Sequence, residues 1–216
     1  LFNLQMLRYL GERVIHPMTE ANYDWPRDKR AIPQPFNAQL VTANFLAVHP
    51  RAFVLNDMGT GKTLAALWAA DFVMRSNPGV RCLVVAPLST LERVWADAIF
   101  QNFLGRRTVS VLHGSAARRR ELLAAPADFY VVNYDGVEVL QRELGVRSDI
   151  RMAIIDEASA YRNRTTERHR IARKLLASMD YLWLMTGTPT PNGPTDAYGM
   201  AKLVNNAFGE GWGSYH

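Results

Sequence analysis

The segment at residues 56–63 constrains the fold of this chain more than any other. It reads Asn-Asp-Met-Gly-Thr-Gly-Lys-Thr and lies between an apolar run at residues 52–55 and a helical pattern at residues 64–70. A strand, a glycine-rich turn, Gly-Lys-Thr and a helix in this order predict a phosphate-binding loop. The glycines let successive backbone N–H groups face one anion, and the helix N-terminus adds positive charge. The alternative is a chance Gly-Lys-Thr at the start of a helix.

A second segment, residues 152–159, is an apolar run followed by Asp156 and Glu157. A continuous apolar run is typical of a parallel strand buried on both faces, and open α/β sheets bind ligands at the carboxyl ends of such strands. Asp156 is therefore predicted to hold Mg²⁺ together with Thr63, and Glu157 is predicted to orient the attacking water. Lys62 is predicted to reach the β- and γ-phosphates. The alternative is that Asp156 and Glu157 form an ordinary helix cap after the strand.

Strand and helix patterns alternate along most of the chain, which predicts an α/β fold with a mostly parallel central sheet and helices on both faces. Further strands are predicted at residues 81–86, 108–112, 128–133 and 181–186. Further helices are predicted at residues 91–103, 115–124, 136–144, 165–178 and 194–204. The residues expected to share the buried face of the helix at 91–103 are Leu91, Val94, Trp95, Ala98 and Ile99.

The two ends of the chain lack this alternation. Apolar spacing predicts a short amphipathic helix near residues 4–14, followed by an irregular connector at residues 17–35. Tyr23 and Trp25 are expected to pack this connector onto the domain, and stacking on nucleic-acid bases is the alternative. Residues 209–216 are expected to form a loop.

Composition bounds the possible partners. The net charge is +5, and the chain has 21 arginines and 4 lysines. A basic balance favours anionic ligands. The simpler interpretation of each arginine cluster by itself is a solvated helix face. The single Cys82 is expected to be a core thiol. The sequence has no run of eighteen apolar residues, so no membrane span is predicted, and no signal peptide is visible, so we expect a cytoplasmic protein.

The order of the motifs resembles the superfamily-two helicases and translocases, specifically the first motor domain of the Swi/Snf-like group with its bacterial and phage members. The resemblance covers residues 35–204, and the phosphate loop of that group also lacks the first glycine, where Asn56 stands here. Ser159 departs from the family pattern, which usually has His at that position.

This resemblance assigns roles to three sets of residues. The implied nucleotide-binding residues are Phe36, Gln39, Asp57, Met58, Gly59, Thr60, Gly61, Lys62 and Thr63. The residues implied to contact a nucleic-acid backbone are Pro87, Ser89, Thr90, Arg93, Asn133 and Tyr134. The residues implied to couple ATP to nucleic acid are Ser159, Thr186, Gly187 and Thr188.

The resemblance implies a RecA-like P-loop domain at residues 35–208, after an N-terminal extension at residues 1–34. Its function would be that of the nucleotide-binding half of an ATP-driven motor, which couples Mg-ATP hydrolysis to sequence-independent movement on DNA, expected to be double-stranded. A second RecA-like domain after residues 209–216 would supply an arginine finger, so the chain alone is expected to be nearly inactive. A nucleotide-binding regulatory module without turnover and a small-molecule phosphotransferase remain the alternatives.

Overall fold

Six parallel strands form the central sheet of the computed structural model, which describes residues 18, 22–25, 35–57, 59–188 and 194–204, with the backbone alone at 194–198. Their order across the sheet is β1-β6-β5-β2-β4-β3, and every neighbouring pair runs parallel. The strands are β1 (Arg51–Val54), β2 (Arg81–Val85), β3 (Val109–Val111), β4 (Phe129–Val132), β5 (Ile150–Ile155) and β6 (Tyr181–Met185).

Helices connect these strands and cover the sheet. The α-helices of the described residues are α1 (Asn37–Val48), α2 (Lys62–Ser76), α3 (Asp97–Phe103), α4 (Ala116–Ala124), α5 (Tyr134–Val139), α6 (Gln141–Gly145), α7 (Glu167–Leu176) and α8 (Pro194–Val204). A 3₁₀ turn (Leu88–Thr90) and a π-helical turn (Leu91–Ala96) precede α3, and a second 3₁₀ turn (Ala158–Tyr161) follows β5. Within the described part of the chain, no helix combines the length and apolarity needed to cross a lipid bilayer.

The hydrophobic core is divided by the sheet into two layers. In β2, Cys82 and Val84 pack in the layer formed with α1, α2 and α3, whereas Leu83 and Val85 pack in the layer formed with α4 to α8. This alternation follows from the two-residue period of a strand, and both faces of β2 are buried because helices cover each of them. The predicted α/β fold is confirmed, and so is the prediction that Cys82 is a core thiol.

Two helical segments differ from the prediction. The helix predicted at residues 136–144 is divided into α5 and α6 because Leu140 leaves the helical conformation, at φ −101° and ψ 9°. The helix predicted at residues 91–103 begins with the π-helical turn, whose i→i+5 hydrogen bonds widen it. Leu91, Trp95 and Ile99 are buried at intervals of four residues, whereas Val94 is 38% exposed, so its assignment to the buried face was wrong.

The short N-terminal segment at residues 22–25 packs onto the domain, as expected of a connector. Tyr23 and Trp25 are buried in the first core layer, and the Trp25 ring lies edge-on to Trp68 with their centroids 5.7 Å apart. The Tyr23 hydroxyl donates a hydrogen bond of 3.0 Å to Asp71 on α2. The helix predicted near residues 4–14, most of the connector and the tail at 209–216 lie outside the described residues.

Asp71 joins this segment to the arginines that follow α3. Its carboxylate is fully buried and forms ion pairs of 2.8 Å with both Arg106 and Arg107. Removing one partner of a buried ion pair leaves charge that is neither solvated nor neutralised. This arginine pair is therefore part of the fold, not a solvated helix face.

We expect Asp71→Asn to destabilise the protein by about 3 kcal/mol, because it removes the buried carboxylate that pairs with Arg106 and leaves the largely buried Arg107 with only its longer pair to Asp128, at 3.6 Å. The matched control is Glu121→Gln, which removes the exposed Arg118–Glu121 pair and should cost about 0–1 kcal/mol. Urea denaturation of the two variants measures both values. Equal losses of stability would contradict the structural role of Asp71.

Candidate active site

The sheet order brings the predicted site residues together at one edge. Because β6 lies between β1 and β5, the loop after β1, Thr186 after β6 and Asp156 after β5 follow three adjacent parallel strands. Backbone hydrogen bonds extend the ladder at two of these ends, from Thr186 N to Val54 O at 3.1 Å and from Asp156 N to Val85 O at 2.8 Å. The carboxyl edge is where open α/β sheets bind ligands.

The loop between β1 and α2 has the backbone form of a phosphate cradle. Gly59 and Gly61 have φ angles of 77° and 75°, in the left-handed region that favours glycine, and Gly61 directly precedes the first turn of α2. Buried Lys62 donates from Nζ to the carbonyl oxygens of Asn56 at 2.6 Å and Asp57 at 2.8 Å. An ammonium group has three donors, so one remains for an anion above the loop.

The other predicted residues of the loop lie beside this cradle. Asp57 is exposed, and its carbonyl oxygen also accepts a hydrogen bond of 2.8 Å from the Thr60 hydroxyl. Thr63 lies in the first turn of α2 and is half-buried. Met58 lies outside the described residues. The phosphate contact of Lys62 and the metal contact of Thr63 stay predictions.

Gln39 fastens α1 to the phosphate loop, a contact that the sequence did not indicate. Its buried side chain donates from Nε2 to the Gly61 carbonyl oxygen at 3.3 Å and accepts from the Phe36 N–H at 2.8 Å. The Phe36 ring is 65% exposed at the start of α1. An adenine contact by Gln39 and Phe36 stays a prediction, whereas the structure gives Gln39 a place in supporting Gly61.

The Asp156 carboxylate is held from two sides. Its Oδ2 accepts a hydrogen bond of 3.0 Å from the Trp95 indole N–H, and its Oδ1 accepts one of 3.1 Å from the Glu157 backbone N–H. Burial raises the pKa of Asp156, while the Trp95 hydrogen bond and the nearby Lys62 charge act in the opposite direction. A carboxylate with both oxygens held by donors has a fixed orientation, as a metal ligand requires.

Glu157 has an unusual backbone conformation. Its φ is 45°, and among the described residues it is the only non-glycine residue with a positive φ. Its Oε2 accepts a hydrogen bond of 3.3 Å from the buried Thr186 hydroxyl, which in turn accepts one of 3.1 Å from the Thr188 N–H. Strained backbone of this kind is concentrated at functional sites because the surrounding contacts maintain it. The structure thus joins two of the predicted coupling residues to the carboxylate pair.

The other two coupling residues lie nearby in the chain. Ser159 is half-buried in the 3₁₀ turn after β5, and Gly187 is half-buried between Thr186 and Thr188. The coupling roles of Ser159 and Gly187 stay predictions.

The residues predicted to contact DNA fall into two groups. Pro87, Ser89 and Thr90 form the loop after β2, where Ser89 is exposed and the Thr90 hydroxyl caps the Pro87 carbonyl oxygen at 2.9 Å. Arg93 is exposed one turn later. Ser89 and Arg93 thus present polar side chains to solvent after β2, the strand next to β5, and the contact of this group with DNA stays a prediction.

Asn133 and Tyr134, the second group, direct their polar atoms into the protein. Asn133 is 6% exposed and accepts a hydrogen bond of 2.8 Å from Arg119. The Tyr134 hydroxyl donates to the Asp156 carbonyl oxygen at 2.7 Å, and burial raises the pKa of Tyr134, so it stays a donor. Their contact with DNA stays a prediction, and the structure adds a support role for Tyr134 that sequence reasoning missed.

The carboxylate set at this edge fits a metal that arrives with a nucleotide. Within the described part of the chain, no cluster of three or more His, Cys, Asp or Glu side chains is placed to hold a metal ion. Mg²⁺ is commonly bound through one or two carboxylates together with substrate phosphates, not by a dedicated protein cage. Asp156 and Thr63 near the phosphate cradle are a donor set of that kind.

The model of the SNF2-related domain matches residues 47–212, which is most of the chain. The chain belongs to the SNF2-related domain family. The predicted resemblance to the Swi/Snf-like group is thereby confirmed.

Similar proteins agree with this membership. The putative protein p41 of Acyrthosiphon pisum secondary endosymbiont phage 1 is 31% identical over 205 residues, which are 85% of this chain and 43% of that protein. The SWI/SNF-related matrix-associated actin-dependent regulator of chromatin subfamily A-like protein 1 of Xenopus tropicalis is 28% identical, over 73% of this chain and 16% of that protein. The chain thus spans less than half the length of these relatives.

A solved structure shows the same fold. The Sulfolobus solfataricus SWI2/SNF2 ATPase core, solved in complex with dsDNA, superimposes with a TM-score of 0.69 at 21% identity, over 85% of this chain and 38% of that one. This match confirms the predicted RecA-like architecture of the sheet and its helices.

We expect Gly61→Ala to abolish most nucleotide binding, because a Cβ at this position would lie 2.0 Å from Gln39 Nε2 in a backbone of positive φ. The matched control is Gly79→Ala, which has φ 91° and no atom near the added Cβ. Both variants carry a similar backbone strain of about 1–2 kcal/mol. Titration with a fluorescent ATP analogue should show loss for Gly61→Ala alone; similar affinities would contradict the cradle.

Proposed function

We propose that this chain is the nucleotide-binding half of an ATP-driven motor that moves along double-stranded DNA. One observation carries the proposal: the sheet of an SNF2-related domain places a glycine cradle with Lys62 and the Asp156–Glu157 pair at the ends of nearby parallel strands. Relatives that the chain matches in part are named ATP-dependent helicases, among them fft3 of Schizosaccharomyces pombe at 29% identity.

Each residue of the site has a chemical task in this proposal. Lys62 and the N–H groups of the cradle bind the β- and γ-phosphates, and Asp156 and Thr63 hold Mg²⁺. The ion, when bound, offsets negative charge on the phosphates. Glu157 accepts a hydrogen bond from the attacking water and orients it, and Thr186 fixes the Glu157 side chain by the hydrogen bond described above.

The proposed DNA surface is the exposed loop after β2 with Arg93. The structural neighbour with the same fold was solved with dsDNA, which supports a duplex as the partner. Hydroxyl and guanidinium groups at strand ends bind phosphate oxygens and carry no sequence information by themselves. Binding is therefore proposed to be independent of base sequence.

A second RecA-like domain is proposed as the partner that completes the motor, in the cytoplasm of a bacterial or phage-infected cell. It would cover the nucleotide and supply an arginine finger, which contributes about 10³- to 10⁵-fold in rate in other nucleotide hydrolases. The 216-residue chain by itself is accordingly proposed to bind ATP weakly and to turn it over very slowly.

The carboxylate pair provides the central test of this function. Asp156→Asn should weaken Mg²⁺-dependent ATP binding. Glu157→Gln should leave ATP affinity nearly unchanged and reduce DNA-stimulated turnover about 10²- to 10⁴-fold, because the side chain acts on the water and not on the bound substrate. Affinity is measured by titration of this chain, and turnover on a protein that includes the second domain.

Three outcomes would contradict the proposal. Equal losses of ATP affinity in both variants would show that the two carboxylates do not divide their tasks. Intact binding without any turnover in the two-domain protein would indicate a regulatory module instead of a motor. Turnover that requires a small molecule and ignores DNA would indicate a phosphotransferase.

We expect Arg93→Ala to weaken duplex binding by a similar factor for every base sequence and to lower the slope of log affinity against log salt by about 1. The matched control is Arg142→Ala, since Arg142 is also exposed but lies on α6, before the amino end of β5. Fluorescence anisotropy at several salt concentrations measures both. A loss confined to one sequence, or an equal loss in the control, would refute this DNA surface.

A further inference from the structure

Trp95 connects the helical segment after the DNA-binding loop to the metal-binding carboxylate. It lies in the π-helical turn that begins directly after the loop, and its side chain is fully buried. The indole N–H is a donor without acceptor capacity, and here it donates to Asp156 Oδ2 at 3.0 Å.

This hydrogen bond determines how the carboxylate faces the cradle. Asp156 Oδ1 is held by the Glu157 N–H, so the indole N–H on Oδ2 fixes the second oxygen and with it the plane of the group. Each carboxylate oxygen has a second lone pair available for a metal-bound water. The charged groups that face the carboxylate are Lys62 and Glu157, whereas the hydrogen bond to Oδ2 comes from the neutral Trp95 indole.

The other fully buried tryptophans show that burial alone does not require such a contact. The Trp68 N–H donates to the side-chain oxygen of Asn102 at 3.2 Å, and the Trp183 N–H donates to the His49 carbonyl oxygen at 2.9 Å. Both acceptors are neutral and lie outside the candidate site. Trp95, in contrast, donates to the carboxylate that the site requires.

We propose that Trp95 is a positioning residue: its indole N–H holds Asp156 in the orientation in which this carboxylate binds nucleotide-borne Mg²⁺. The inference rests on the proposed function, because it assigns a support to the metal ligand of that same site. Hydrogen-bond partners of metal ligands typically change metal affinity about 10- to 100-fold when they are removed.

The test is Trp95→Phe in the chain as it is, which keeps an aromatic ring and removes the donor. Binding of a fluorescent ATP analogue is titrated with MgCl₂, and again in EDTA. We expect the Mg²⁺ concentration at half-maximal binding to rise about 10- to 100-fold, while the affinity in EDTA stays that of the unaltered chain. Trp183→Phe, which removes a buried indole N–H that donates to the His49 carbonyl oxygen and not to the carboxylate, should leave both values unchanged.

Two further measurements separate positioning from a structural role. On an Asp156→Asn background, Trp95→Phe should add no further change in the Mg²⁺ requirement, because the two residues act through one carboxylate. If circular dichroism shows that Trp95→Phe is unfolded, benzothienylalanine at position 95 keeps the bicyclic shape without the N–H and takes its place.

The outcomes distinguish the inference from the function on which it rests. An unaltered chain whose ATP binding ignores Mg²⁺ would overturn the proposed function, and the inference with it. Normal Mg²⁺ dependence that Trp95→Phe or benzothienylalanine leaves unchanged would overturn the inference alone. Fully additive effects of Trp95→Phe and Asp156→Asn on the Mg²⁺ requirement would likewise overturn the inference.

Discussion

The parallel ladder of β1, β6 and β5 is the constraint on which the rest of the molecule depends. Because these strands run in one direction, their carboxyl ends meet at one edge, and β6 between the other two places Thr186 beside both Val54 and Glu157. β6 is buried on both faces, β5 is buried except at Arg151, and β1 at the edge of the sheet buries Ala52 and Val54, so a slip by one residue would turn apolar side chains away from their layers. The site is therefore as well defined as the core that carries it.

Around that edge, inward-directed polar groups hold the carboxylate segment in a strained form. Trp95 binds the Asp156 side chain, Tyr134 binds the Asp156 carbonyl oxygen, and Thr186 binds the Glu157 side chain. The positive φ of Glu157 persists because these contacts over-determine it. Trp95 follows the loop that is proposed to contact DNA, so its hydrogen bond to Asp156 is a physical connection between the two candidate surfaces.

The arginines show why a net charge does not locate a nucleic-acid surface. Arg106 and Arg107 neutralise buried Asp71, and Arg119 donates to Asn133 and to the carbonyl oxygens of Leu112 and Gly114. These side chains act inside the fold although they belong to clusters that look basic in the sequence. The proposed DNA surface depends on the position of Arg93 at the sheet edge and not on the number of arginines.

The sequence by itself determined the elements and the chemistry they carry. Apolar runs fixed the strands, and Gly-Lys-Thr and Asp-Glu fixed the candidate site, because local periodicity and motif spacing need no knowledge of distant residues. Tertiary structure alone decided the strand order, the break at Leu140, the exposure of Val94, and the contacts of Trp95 with Asp156 and of Gln39 with Gly61. Trp95 and Asp156 are 61 positions apart in the sequence, and Gln39 and Gly61 are 22 positions apart. Such contacts form only when packing brings the two elements together.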